Sequence, residues 1–119
     1  YRYPAKEILL EIPAGTGEPN EQPLETAARE IREEIGYSAE SLVHIGGTWM
    51  APGFCTEYID YFIAYNLSHD PLPQDPDEFI SEPIRVTYEE MISLIGDGKI
   101  KDATSIAGFM LYQIYRSNQ

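Results

Sequence analysis

Positive charge is scarce in this chain. Its 119 residues include 8 Lys and Arg against 20 Asp and Glu, which gives a formal net charge of −12. Nonspecific binding to nucleic acid or to an anionic membrane depends on Lys and Arg side chains that meet phosphate groups. The composition therefore argues against both kinds of partner. It also indicates that a phosphate-bearing ligand would be approached through a bound cation.

Cysteine and long apolar runs are scarce as well. Cys55 is the single cysteine, so an intrachain disulfide is excluded and a reducing compartment, the cytoplasm, is expected. No apolar run approaches the roughly 20 residues of a membrane-spanning helix. The sequence has no internal repeat or low-complexity tract, and 43% of it is hydrophobic. We therefore expect residues 1–119 to form one compact domain.

Residues 15–37 carry the most specific pattern in the chain. They read GTGEPNEQPLETAAREIREEIGY and fit G-x5-E-x7-R-E-U-x-E-E-x-G-U, where U is a bulky apolar residue. Every fixed position is filled, so chance is a poor explanation. The fixed identities are Gly15, Glu21, Arg29, Glu30, Glu33, Glu34 and Gly36, with Ile31 and Tyr37 in the U positions.

The second half of this stretch has the signals of a helix. Pro23 suits a first helical turn, where its missing N–H is not needed, and Gly36 suits the left-handed residue that ends a helix. Between them, apolar residues recur at helical spacing and form a stripe that should face a core. The stripe consists of Leu24, Ala27, Ala28, Ile31 and Ile35.

The helical spacing also predicts where the acids point. Glu30 and Glu34 lie beside one edge of the apolar stripe, while Glu33 and Arg29 turn further from it. Like-charge neighbours on one turn each cost a few tenths of a kcal/mol, about 0.2–0.5, if nothing compensates them. A hard cation such as Mg²⁺, which prefers carboxylate oxygens and is often shared with substrate phosphates, would compensate them.

An E-x-x-E-E run beside an arginine is, in an arbitrary helix, most often a solvated face with ion pairs such as Arg29 with Glu33. Here Gly15 and Glu21 stand upstream of the helix, in a loop that a surface helix has no need to specify. The complete pattern therefore favours the functional interpretation.

The pattern of residues 15–37 resembles the Nudix box. The resemblance implies an α/β fold, a Nudix-type α/β/α sandwich with a mixed sheet, in which a loop and a helix hold divalent metal against a nucleoside diphosphate derivative. Outer motifs look like the ADP-ribose pyrophosphatase branch of the family. They are the YRYP run at residues 1–4, the strand at residues 8–15, the turn at residues 52–57 and the acidic segment at residues 77–80.

The resemblance assigns roles in the box itself. It makes Glu30 and Glu34 the principal metal ligands, with Glu33 in the same cluster and the carbonyl of Ala14 as a further ligand. Mg²⁺ is the implied ion and Mn²⁺ the alternative. The structural roles fall to Arg29, which would orient the carboxylates, to Glu21, which would hold the loop, and to Gly15 and Gly36.

The resemblance also assigns substrate contacts and a general base. Arg2 would meet substrate phosphate, a task that suits a planar cation able to bind two oxygens. The other substrate contacts are Gly15, Pro52, Gly53, Phe54 and Glu57. Besides Glu33 and Glu34, the catalytic candidates lie in the loop before the penultimate helix, where Glu78 is the first choice for a metal ligand or base, with Asp77 and Glu82 behind it.

The implied reaction is hydrolysis of the pyrophosphate bond of a nucleotide sugar, ADP-ribose giving AMP and ribose 5-phosphate, by a homodimer. GDP-mannose, another nucleotide sugar or a dinucleotide such as NADH is the enzymatic alternative, since nothing in the chain reads the base. A Nudix-like nucleotide-binding module without turnover is the nonenzymatic one. Because the family has strands before the YRYP run, we expect this chain to be an N-terminally truncated Nudix domain.

The remaining elements are predicted from local pattern. We expect strands at Glu7–Ile12, Ser41–Met50 and Tyr58–Tyr65, a long loop at 66–79, and a short strand at Ile84–Val86. Thr87 to Glu90 has the capping signature of a helix that runs to about Ile95. A last helix, Thr104–Arg116, should pack on the sheet through Ile106, Phe109, Met110, Gln113 and Ile114.

Overall fold

The computed structural model describes residues 19–51, 53, 57–73 and 83–119. Their elements follow in the order α1 (Pro23–Glu34), β1 (Tyr37–Trp49), β2 (Tyr58–His69), α2 (Tyr88–Gly96) and α3 (Ala103–Ser117). The α/β class expected from the sequence is confirmed. Within the described ranges the sheet has two antiparallel strands, and the expected strand Glu7–Ile12, which a mixed sheet would need, lies outside them.

β1 and β2 form a long hairpin whose register runs from Tyr37 opposite His69 to Trp49 opposite Tyr58. The ladder is interrupted between His44 and Gly46, where β1 has one residue more than β2. Such a bulge bends the strand and increases its twist. Gly46 stands at the bulge with φ +147°, a backbone conformation that side chains rarely adopt.

Two of the described helices, α1 and α3, pack on this hairpin. α1 and α3 both contact β1 and β2, and Leu111 of α3 lies where a Cβ on Gly46 would meet its side chain at 3.1–3.2 Å. Tyr61 of β2 and Ile100, which precedes α3, are buried. The hairpin is therefore the surface on which α1 and α3 pack.

α2 begins as the capping signature predicts. Thr87 accepts the Glu90 N–H through its hydroxyl, and the Glu90 carboxylate accepts the Thr87 N–H at 2.9 Å. Tyr88 then joins α2 to α3, because the Gln113 amide donates to its hydroxyl at 2.9 Å and the Arg116 guanidinium lies 3.9 Å from its ring centre. Among the described residues, no helix is long and apolar enough to cross a membrane.

Three of the predicted elements differ from the structure. The strand predicted at Ser41–Met50 begins earlier, at Tyr37, and ends at Trp49. The loop predicted at 66–79 begins later, because β2 continues to His69; its polar end looked like a loop, but Leu67 to His69 pair with Tyr37 to Ala39 of β1. The strand predicted at Ile84–Val86 is not formed, and residues 83–87 are irregular. Pro83 lacks the N–H that a strand ladder would use there.

The packing face predicted for α3 was also partly wrong. Ile106, Met110 and Ile114 are exposed, whereas Phe109 packs with Tyr88 and Tyr112, and Leu111 with Gly46. α3 is apolar on more than one side, so the spacing of its apolar residues could not select the face that meets the hairpin.

Candidate functional site: an acidic helix organised by an arginine

The candidate site is built on α1, whose two ends follow from its sequence. Pro23 occupies the first turn, and the Gln22 N–H donates to the Glu25 carboxylate at 3.1 Å. Gly36, at φ +78°, takes the left-handed conformation and lets the chain turn directly into β1. Glu30, Glu33 and Glu34 therefore all lie in the second half of α1, close to where the helix joins the hairpin.

Arg29 is the centre of the site. Its Nε and Nη2 donate to the two oxygens of Glu21 at 2.9 and 3.0 Å, and its Nη1 donates to Glu30 at 2.8 Å and to Glu33 at 3.2 Å. One guanidinium thus contacts three carboxylates. The hydrogen bond to Glu21, followed by the nearby charge of Glu30 and the hydrogen bond to Glu33, raises the pKa of Arg29 above its already basic value, although partial burial opposes the shift.

Glu21 is held in place from the helix as well. The Thr26 hydroxyl donates to Glu21 Oε1 at 2.8 Å, beside the two bonds from Arg29. The loop residue is therefore attached to the first and second turns of α1. The sequence analysis did not single out Thr26. Its hydroxyl stands in the first turn of the predicted helix, close in sequence to Glu21, and that position could have suggested the bond.

The acids differ in exposure in the order that the helical spacing predicts. The Glu30 side chain is 14% exposed and the Glu33 side chain 29%, and Oε2 of Glu34 is buried. The edge that carries Glu30 and Glu34 is thus closer to the packed side of α1. The apolar stripe itself is less complete than expected, because Leu24 in the first turn is 50% exposed.

The donor set suits a hard divalent cation. Glutamate oxygens are the ligands that Mg²⁺ prefers, and Mg²⁺ commonly uses one or two protein carboxylates and keeps several waters. Within the described residues, no group of three or more His, Cys, Asp or Glu side chains is arranged to hold a metal ion. Glu30 and Glu34, which share one edge of α1, carry carboxylates of the kind that Mg²⁺ takes.

The hairpin end carries two further candidates. Gly53 and Glu57 are exposed, and the Glu57 carbonyl accepts the Met50 N–H at 3.0 Å, which closes the end of the β1–β2 ladder. Trp49 and Tyr58 pack edge to face beside it, with ring centres 4.9 Å apart. This places Glu57 at the far end of β1 from Gly36.

The other sequence-predicted site residues lie outside the described ranges, so the described structure locates neither the upstream part of the site nor the acidic loop. These residues are Arg2, Ala14, Gly15, Pro52, Phe54, Asp77, Glu78 and Glu82.

Comparison with known proteins identifies the family of the chain. The family model described as NUDIX domain matches residues 2–109. The ADP-ribose pyrophosphatase of Bacillus subtilis (strain 168) is 35% identical over 121 residues, which is 100% of this chain and 65% of that protein. The GDP-mannose pyrophosphatase of Yersinia enterocolitica serotype O:8 is 35% identical over 111 residues, 91% of this chain and 57% of that protein.

A solved structure described as an ADP compounds hydrolase superposes with a TM-score of 0.77 at 25% identity, over 86% of this chain and 55% of that one. The chain thus spans 55–65% of the length of these three proteins. The family match over almost all of the sequence, together with the acid-bearing helix that it covers, shows that the chain belongs to the Nudix family.

Proposed function

We propose that this protein hydrolyses the pyrophosphate bond of a nucleoside diphosphate sugar, with ADP-ribose giving AMP and ribose 5-phosphate. The observation that carries the proposal is the Arg29 cluster, in which one cation holds Glu21, Glu30 and Glu33 on and beside a single helix. The Bacillus subtilis relative, an ADP-ribose pyrophosphatase, supports the choice of substrate.

The site would use a divalent metal, Mg²⁺ first and Mn²⁺ as the alternative. Glu30 and Glu34 would be its principal ligands, with Glu33 and the carbonyl of Ala14 beside them. When bound, such an ion neutralises charge on the phosphate oxygens and lowers the pKa of a coordinated water. A chain with net charge −12 otherwise repels a diphosphate, so the ion would also permit binding.

The protein's own residues would position the reaction. Arg29 orients the carboxylates of Glu30 and Glu33, and Glu21 ties the preceding loop to the helix. Arg2 would bind a substrate phosphate, with Gly15, Pro52, Gly53, Phe54 and Glu57 completing the substrate contacts. Water attacks one phosphorus, the bridging P–O bond breaks, and a carboxylate accepts the proton of the water.

The carboxylate base is proposed to come from the loop before α2. Glu78 is the first choice, and Asp77 and Glu82 are the alternatives. Glu78→Gln, Asp77→Asn and Glu82→Gln, compared in one assay, should show one large loss of kcat and two small ones. Three equal and small effects would place the base elsewhere, with Glu57 the next residue to test.

GDP-mannose is the second candidate substrate, because the Yersinia enterocolitica relative is a GDP-mannose pyrophosphatase of equal percentage identity. The test is a parallel assay of the complete gene product with ADP-ribose and GDP-mannose, with and without Mg²⁺. AMP release that depends on Mg²⁺ and exceeds GMP release supports the proposal. Faster GMP release would reassign the substrate, and no release from any nucleotide sugar or from NADH would favour a binding module without turnover.

We also propose a domain organisation, a cellular location and an oligomeric state. The family resemblance supports a single Nudix domain over residues 1–119 and a homodimer, and the single cysteine supports a cytoplasmic location. Size-exclusion chromatography with light scattering of the complete gene product tests the dimer directly.

A further inference from the structure

The last turn of α1 is connected to a segment of chain that the Nudix box does not include. Arg32 precedes Glu33 and Glu34, and its guanidinium donates to the main-chain oxygen of Asp70 at 3.0 Å and to Asp70 Oδ1 at 3.1 Å. Both residues are separated by 38 positions in the sequence. The contact therefore joins the acid-bearing end of α1 to the point where the chain leaves β2.

Backbone hydrogen bonds reinforce the connection. The Leu72 N–H donates to the Arg32 carbonyl at 3.1 Å, and the Asp70 N–H donates to the Gly36 carbonyl at 2.8 Å. Pro71 lies between these two donors, and its Cβ would be 3.6 Å from a Cβ built on Gly36. Side chain, backbone and packing contacts thus all hold residues 70–72 against the end of α1.

The Leu72 bond has a specific consequence for the helix. The last carbonyls of an α-helix have no donor within the helix. In a continuing helix the Gly36 N–H would reach the Arg32 carbonyl, but here it donates to the Ile31 carbonyl at 3.1 Å. Leu72 supplies a donor to Arg32 instead, so the turn that carries Glu33 and Glu34 is closed by a neighbouring segment.

Arg32 also differs from Arg29 in its partners. Arg29 donates to the box acids Glu21, Glu30 and Glu33, whereas Arg32 donates to the main-chain and side-chain oxygens of Asp70. Arg32 therefore contributes to the shape of the turn through a contact outside the acidic cluster, where it does not compete with a metal for the cluster's oxygens.

We propose that Arg32 and Asp70 are positioning residues that fix the carboxylates of Glu33 and Glu34 by fastening the last turn of α1 to residues 70–72. The catalytic part of this proposal rests on the proposed function. The pair is partly exposed, at 33% and 50% of the two side chains, so its contribution to global stability is small. Its effect is on local geometry, to which catalysis is far more sensitive than folding is.

The first test needs neither substrate nor metal. Amide hydrogen exchange is measured in the metal-free complete protein at Gly36, Asp70 and Leu72, whose N–H groups make the bonds described above, and at Ile35, whose N–H donates to the Ile31 carbonyl at 3.1 Å. Arg32→Ala should accelerate exchange at these amides by about tenfold or more, since local opening requires only this turn to separate. The melting temperature should change little. Unchanged exchange at all four amides in both Arg32→Ala and Asp70→Ala would overturn the proposal.

The second test measures kcat and KM of variants that keep different numbers of the bonds between Arg32 and Asp70. Arg32→Ala should lower kcat by about tenfold to a hundredfold, as expected for misplacement of catalytic groups by up to about 1 Å, with little change in KM. Arg32→Lys, which keeps one bond, and Asp70→Asn, which keeps both acceptors, should retain progressively more activity. A kcat unaffected by Arg32→Ala, despite faster exchange, would overturn the positioning role.

The matched control is Arg116→Ala, which also removes a surface arginine, but one stacked on Tyr88 at the opposite end of the chain. It should leave kcat and the four amides unchanged. Mn²⁺ binding, followed by electron paramagnetic resonance without substrate, should weaken in Arg32→Ala and not in Arg116→Ala. If the parent protein hydrolyses no nucleotide sugar, the proposed function fails while the exchange experiment still decides whether the turn is fastened in this way.

Discussion

At the scale of single residues, the site depends on how one guanidinium is shared among neighbouring acids. Arg29 binds Glu21 through two parallel hydrogen bonds and reaches Glu30 and Glu33 with its remaining nitrogen. Paired, charge-assisted bonds of this kind fix geometry as well as adding stability, and lysine cannot reproduce them. The positions of three carboxylates thus depend on one side chain.

Replacement of Arg29 should therefore reduce stability. Arg29→Met should lower the free energy of unfolding by about 1.5–3 kcal/mol, the usual range for hydrogen bonds to charged groups, and Arg29→Lys by less. Chemical denaturation followed by circular dichroism measures both. A Met variant as stable as the parent would contradict the central role given to Arg29.

The pH dependence of that loss follows from the direction of the pKa shift. The pKa of Arg29 is raised in the folded protein, first by its hydrogen bond to Glu21. A raised pKa stabilises the folded state fully at every pH below the unfolded value, and the contribution disappears only when the pH rises through the folded value. The stability difference between parent and Arg29→Met should therefore be the same at pH 7 and pH 9; a smaller difference at pH 9 would refute this assignment.

Glu34 provides the corresponding prediction for activity. Glu34→Gln removes an anionic ligand while preserving shape, so kcat should fall at least about a hundredfold, or about 2.7 kcal/mol of transition-state stabilisation, with folding retained. Glu89→Gln, the same change in the exposed first turn of α2, is the control and should be neutral. Activity of Glu34→Gln near that of the parent would remove Glu34 from the metal site.

At the scale of elements, the hairpin determines where the helices can lie. The bulge at β1 places Gly46 under Leu111 of α3, and Gly47 under the ring of Tyr58, which a Cβ at Gly47 would overlap. Both glycines thus allow close approach, and Gly46 also needs its positive φ. The shape of the β1–β2 hairpin, on which α1 and α3 pack, therefore depends on having no side chain at Gly46 and Gly47.

Gly46→Ala tests this arrangement. The added Cβ would meet Leu111 at 3.1 Å in a backbone conformation unfavourable to alanine, so stability should fall by about 1–3 kcal/mol. Gly96→Ala is the matched control, because a Cβ there meets nothing within 4 Å. Urea unfolding should find Gly96→Ala neutral or slightly stabilised; equal effects of the two substitutions would show that the bulge does not depend on Gly46.

The sequence predicted α1 and α2 well because their ends carry recognisable residues, such as Pro23, Gly36 and Thr87. It predicted α3 from the spacing of its apolar residues alone. It also placed Glu30 nearer the packed side than Glu33. It did not predict that β2 reaches His69, since that extension depends on backbone partners in β1, nor which face of α3 packs. It also did not predict that Thr26 bonds to Glu21 or that Arg32 bonds to Asp70. These contacts depend on the tertiary fold, about which the spacing of residues along one helix gives no information.

At the scale of the whole molecule, the excess of acids governs which ligands can approach. A chain of net charge −12 attracts cations and repels phosphates over about a Debye length, and screening by salt weakens both effects. Added salt should therefore strengthen the binding of a phosphate ligand to this chain. A nucleic-acid-binding protein shows the opposite, because its affinity falls as salt rises.

Repulsion between the acidic chain and phosphate predicts how salt affects the binding of ADP in the absence of divalent metal. Raising NaCl from about 20 mM to about 200 mM should strengthen binding, by about two- to fivefold, because repulsion is screened. Isothermal titration calorimetry or a competition assay measures it, with adenosine as the uncharged control, whose affinity should not change. Weaker ADP binding at higher salt would mean that basic residues dominate the site.

The contacts of Arg29 also bear on the stability of this protein when divalent metal is removed. A permanent cation already lies among the acids, so the folded state does not need a divalent ion to offset their repulsion. Chelation should then abolish turnover without exposing the chain to proteases, and return of the ion should restore activity without refolding. Scarcity of metal would then stop turnover reversibly, while the amount of folded protein would stay the same.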